Sequence, residues 1–116
     1  MVGEINVFRL VVYVPTNHTE PVKQALFNAG AGRIGNYDCC CWQTEGLGQY
    51  RPLAGAEPFL GQELQLNQVA ETKLELVCEE AVVYNAIAAM IAAHPYEQPA
   101  FQLLPVLDWQ TFKAVD

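Results

Sequence analysis

The spacing of apolar residues along this chain switches from the strand period of about 2 to the helix period of about 3.6 and back, and it does so twice. Residues 7–14, "VFRLVVYV", are rich in β-branched and aromatic side chains and run into Pro15, as a largely buried first strand does. From Thr19 the period lengthens. Glu20 and Pro21 suit a first helical turn, Val22, Ala25, Leu26 and Ala29 recur at helical spacing, and Gly30 is placed to end a helix expected over Thr19 to Ala29. "NYDCCCWQTEG" then reads as a second strand, and "GLGQYRPLAGAEPFLG" breaks into glycines and prolines that favour a hairpin and an irregular crossing. "ETKLELVCEE" alternates Thr72, Leu74, Leu76 and Cys78 against more polar neighbours, the period of a half-buried strand. "AVVYNAIAAMIAAH" sets Val83, Ile87, Met90 and Ile91 along one stripe, behind Glu79 and Glu80 at the positive end of the helix, and stops before Pro95. "AFQLLPVLDW" is the last strand, and its Pro105 points to an edge position.

Strand, helix, strand, strand, helix, strand is the order of the split βαβ, ferredoxin-like α+β arrangement, with both helices on one face of an antiparallel sheet. With 52% of its 116 residues hydrophobic, the chain has enough apolar side chain for one core, and a single domain is expected over residues 1–116. The second sheet face then needs a partner or water, so a homo-oligomer is expected, three copies before two. Six basic against thirteen acidic residues give a net charge of -7 with no basic cluster, which removes the electrostatic footprint of nucleic-acid binding. The start "MVGEINVFRL" lacks a basic region followed by an unbroken apolar run, and the apolar stretch "AIAAMIAA" is too short to cross a bilayer, so a cytoplasmic location without membrane contact is expected. Four cysteines, three of them adjacent, then read as free thiols.

Three blocks, "AGAGRIGNYDCCCW", "GLGQYRPLAGAEPFLG" and "HPYEQPAF", resemble the signature blocks of the YqfO group, the domain inserted into many Nif-three-like dinuclear-metal proteins and also found alone. The resemblance covers most of the chain from Ala29 to Phe101. It implies a PII-like and CutA-like fold that commonly trimerises with its sheets facing a central axis. The ligands of the two metals belong to the flanking halves of those larger proteins, so that site is not carried over. In the family pattern Cys40 and Trp42 match a cysteine and an aromatic residue, Cys41 replaces the usual serine, Cys39 takes a variable place, and Gln98 stands where a second glutamate is common.

On a strand, Cys39 and Cys41 would share one face and Cys40 and Trp42 the other. Cys40 is expected to pack beside Trp42 as a small hydrophobe. Cys39 and Cys41 start about 7 Å apart along a strand, so chelation needs a third donor; copies meeting on a threefold axis would supply it, and soft thiolates would favour Cu or Zn. In "HPYEQP", His94 either caps the helix as part of a connector or joins Tyr96 and Glu97 in a rigid turn able to bind a metal or polar ligand. His18 reads as a solvated loop residue. The glycines of "GAGRIGNY" follow a helix and lack a Lys-Ser/Thr pair, so they serve a tight return and not a phosphate loop. No serine exists in the chain, which excludes a Ser-His-Asp apparatus. Arg33 and Arg51 flank the region where PII-like proteins hold a ligand-responsive loop, and an anionic ligand between subunits would use them.

These residues define an expected set: Arg33, Arg51, Tyr96 and Glu97 for a small ligand, and Cys39, Cys41 and His94 for a metal. The leading expectation is a small cytoplasmic oligomeric binding or regulatory module that holds a metal ion or small ligand at subunit clefts and signals through residues 44–70. Its alternatives are an oligomerisation module without ligand and a metal-dependent hydrolase suggested by the family association.

Overall fold

Strand β1 (Ile5–Pro15) is followed by helix α1 (Thr19–Asn28), strands β2 (Trp42–Tyr50) and β3 (Asn67–Glu79), helix α2 (Val83–Ala93) and strand β4 (Phe101–Leu107). This computed structural model describes residues 3–112; the rest of the expected 1–116 span, including Met1 and Val2 of the quoted start, lies outside the described residues. The strands form one sheet in the order β2-β3-β1-β4, every neighbouring pair antiparallel. That order places β3 between the two strands joined by α1, which is the ferredoxin-like α+β topology expected from the sequence.

Side-chain alternation decides which face the helices cover. Leu10, Val12 and Val14 of β1 lie opposite Leu76, Leu74 and Thr72 of β3, and all six are buried. Against them pack Val22 and Leu26 from α1 and Ala86 and Met90 from α2, closing one core on one face. Gly30, at φ +100° just past α1, lets the chain reverse: the Ala31 N–H donates to the Leu26 carbonyl at 3.0 Å and satisfies a helix end. β4 is an edge strand, and Pro105 sits in it where a missing N–H costs little.

Three expectations need correction. β2 starts at Trp42, so Cys39, Cys40 and Cys41 precede the strand in a turn. Residues 44–50 and 67–70 are strand and not loop, which confines the irregular segment to 51–66. Ile91 is 46% exposed, whereas Val83, Ile87 and Met90 pack as the helical stripe requires. The β2–β3 hairpin runs on beyond the helices and gives the molecule its long axis, 59 Å against 28 and 23 Å.

Candidate functional site

The turn after α2 is built on His94. Its Nε2 donates to the Tyr13 carbonyl at 2.7 Å, and its Nδ1 accepts from the Tyr96 N–H at 3.1 Å. The ring thus ties the helix end to β1 and fixes where Tyr96 points. Burial pushes the His94 pKa below its ordinary value, against the pull of the Tyr13 bond and the Glu71 charge. Tyr96 reaches across to donate its hydroxyl to Oε2 of Glu71 on β3 at 2.8 Å. Burial first and the Glu71 carboxylate second push that phenol's pKa far up, so it stays protonated. Gly48 on β2 makes this possible, because a side chain there would occupy the space filled by Glu71.

The segment 51–66 folds back toward this turn. The Tyr50 hydroxyl donates to the Leu60 carbonyl at 2.7 Å, and Oε1 of Glu97 accepts the Glu57 N–H at 3.1 Å, bracing loop against turn. Between them lies a cleft of about 560 Å³ lined by Arg51, Glu71, Glu97, Tyr50, Phe59 and Tyr96, among others. Of the expected ligand residues, the structure therefore gathers Arg51, Tyr96 and Glu97. Arg33 lies apart, exposed in the 31–38 turn. Glu71, Tyr50 and Phe59 were not singled out by the sequence: Glu71 looked like one more polar position in an alternating strand, and only the antiparallel register brings it beside the distant Tyr96.

The expected strand alternation of the thiols is absent. Cys39 is exposed and holds φ +55°, so it sits in a left-handed turn and not on a strand. Cys41 is the cysteine of the triplet that packs on the core, and burial raises its thiol pKa. Trp42 is 69% exposed and Cys40 half-buried, its Sγ 3.6 Å from the Asp38 carbonyl, so the expected Cys40–Trp42 core contact is absent. Both ring nitrogens of His94 are engaged, and among the described residues no group of three or more His, Cys, Asp or Glu side chains is gathered that could hold a metal within one chain. Cys39, Cys41 and His94 therefore do not form a common set in the chain. Among the described residues no helix is long and apolar enough to cross a membrane.

Four antiparallel strands in this order under two helices place the chain in the CutA/PII-like class of ferredoxin folds. CutA from Synechococcus elongatus PCC7942 superposes with a TM-score of 0.66 at 16% identity, over 91% of this chain and 81% of that one, a likeness of fold. In sequence, this chain matches one segment of proteins of the NIF3/YqfO family. It is 47% identical over 98 residues to the GTP cyclohydrolase 1 type 2 homolog of Bacillus subtilis, 84% of this chain and 26% of that protein. A Bacillus cereus protein related to NIF3 superposes with a TM-score of 0.76 at 36% identity, over 91% of this chain and 27% of that one. The chain thus spans about a quarter of the length of the curated relatives it matches. No protein-family model matches it.

Proposed function

We propose that the chain is one small domain acting as an oligomeric binding module of the cytoplasm, which holds a small ligand in the cleft between the β2–β3 arm and the turn after α2 and signals its occupancy through residues 51–66. The observation behind this reading is convergence: Arg51 from the end of β2, Glu71 from β3, and Tyr96 and Glu97 from the turn line one cleft, although up to 46 positions separate them in sequence. Polar groups brought together from separate elements beside aromatic walls are the usual make-up of a ligand site. The same loop that forms one wall is braced on the turn by a Glu97 hydrogen bond beside the Phe59–Tyr96 ring contact, so a ligand entering the cleft would compete for that brace and move the loop. Assembly through the helix-free sheet face, as a trimer first and a dimer second, would set copies of the cleft near subunit boundaries. Metal binding is the weaker half of the reading, for it needs thiols from several copies. An oligomerisation module without ligand is favoured only by the exposed Trp42, Leu104 and Val106 on that face. The hydrolytic name belongs to proteins of which this chain matches about a quarter, and no hydrolysis is proposed for it.

The test joins native mass with ring resonances of Tyr50 and Tyr96 followed by NMR, while zinc, acetate, choline and glycine betaine are added in turn. A discrete oligomer whose cleft signals respond saturably to one of these supports the reading. A micromolar monomer with unresponsive rings overturns it.

A further inference from the structure

We infer that the cleft takes a small zwitterion, an ammonium or quaternary ammonium group carried on the same molecule as a carboxylate. The inference rests on the cleft being the ligand site and adds the chemical class. Tyr50, Phe59 and Tyr96 all line the cavity, with ring centroids 5.8 Å apart for Tyr50 and Tyr96 and 6.4 Å apart for Phe59 and Tyr96. Each ring is held from outside. The Tyr50 hydroxyl is committed to the Leu60 carbonyl and the Tyr96 hydroxyl to Glu71, while Phe59 meets His18 in an edge-on contact at 5.3 Å. With both hydroxyl protons engaged, the tyrosines offer the ligand ring surface and little else. The face of an aromatic ring is negative and attracts a cation placed within about 6 Å of its centroid. Glu71 and Glu97 reinforce that sign, each with, among the described residues, one carboxylate oxygen committed, to Tyr96 and to the Glu57 N–H.

Arg51 lines the same cavity, and among the described residues it makes no ion pair and no side-chain hydrogen bond. A simple cation would leave this guanidinium facing like charge, and a simple anion would face two carboxylates and three rings. A molecule with a cationic end for the rings and carboxylates and an anionic end for Arg51 satisfies both. The net charge of -7 on the chain adds a general bias against purely anionic ligands.

Glycine betaine, choline and acetate separate the contributions when titrated against the intact protein. Glycine betaine should shift the ring signals of Tyr50, Phe59 and Tyr96 saturably and bind more tightly than either choline or acetate. Phe59→Leu, at a position 47% exposed and therefore safe for folding, should weaken glycine betaine by roughly fivefold. Arg51→Gln should weaken it by roughly tenfold and bind choline at least as tightly as the parent, because a like charge is removed. Glycine betaine that gives no saturable shift, binds no better than the other two, or is weakened by neither variant overturns the assignment. If acetate or zinc then still moves the cleft signals, the site stands and only the ligand class is lost; if no probe does, the reading of the cleft falls with it.

Discussion

His94 needs its proton on Nε2 for the Tyr13 carbonyl and a lone pair on Nδ1 for the Tyr96 N–H, so a second proton would set two donors against each other. Burial is the main cause of its lowered pKa, with the His18 charge adding to it and the Tyr13 bond and the Glu71 carboxylate opposing. The unfolded chain, with an ordinary histidine near 6.5, therefore takes up the proton more readily than the folded one. Stability from this group is full above that pH and is lost as pH falls through the folded value. Urea denaturation between about pH 7.5 and 5 should show the decline. His94→Gln, whose amide can donate on one side and accept on the other, should flatten it at a cost of about 1 kcal/mol at pH 7.5. An undiminished slope in that variant would place the titration elsewhere. The thiols give a second residue-scale test. Iodoacetamide on the native protein should label exposed Cys39 first, whereas Cys41 and Cys78, whose pKa values are raised by burial, should lag well behind. Labelling of Cys41 ahead of Cys39 would contradict the placement of the triplet.

Between α1 and β2 the chain has thirteen residues that form neither helix nor strand and yet are closely tied down. Gly32 donates its N–H to the Val77 carbonyl and accepts from the Cys40 N–H, both at 2.8 Å, so the turn is laced to β3 on one side and to the cysteine triplet on the other. Its φ is +78°, and a Cβ there would meet the Cys40 carbonyl oxygen at 2.7 Å and the Phe27 ring. Gly32→Ala meets both objections at once and should destabilise by about 2 kcal/mol or more in thermal or urea melts. Cys39, a non-glycine residue at positive φ, makes the opposite case: Cys39→Gly should stabilise by about 0.5 to 1 kcal/mol, and a loss instead would mean its thiol does more than the backbone suggests. These contacts also explain what the sequence hid. The alternation Thr72, Leu74, Leu76, Cys78 was readable because a face buried under two helices leaves its period in the residues themselves. "NYDCCCW" read as a strand because Tyr, Cys and Trp suit one; what bends the chain there is a backbone hydrogen bond from Cys40 to Gly32, which has no side-chain signature. The cleft was half legible for a related reason. Tyr96 and Glu97 stand out beside prolines in a rigid turn, whereas Glu71 acquires its role only from register.

At the scale of the whole molecule, the proposed assembly turns on the helix-free sheet face. Its centre is charged: Arg9 bonds Glu75 at 2.6 Å, and Lys73 lies 3.3 Å from the same carboxylate. The Arg9 bond holds the Glu75 carboxyl below its ordinary range, so the contribution of this group is present above about pH 4.5 and is lost as pH falls through the lowered value. Apolar side chains flank the charged centre, with the exposed Thr44 and Gln102 between them. Trp42 on β2 stands opposite Glu75, and Leu104 and Val106 on β4 stand opposite Arg9 and Val7; the three are exposed by 69, 43 and 36%. A second copy laid on this face would bury those three side chains while meeting charges already satisfied within each subunit, which lowers the desolvation penalty that ordinarily opposes covering ions. Trp42→Glu combined with Leu104→Glu should therefore convert the proposed oligomer to monomer and leave the far-ultraviolet circular dichroism unchanged, because neither residue belongs to the core. Single replacement of Leu53 or Leu64 by Glu, on the 51–66 segment, should leave the mass as it was. If the double variant keeps its assembly and the arm variants lose theirs, the subunits meet through the hairpin, and the sheet face is left to water.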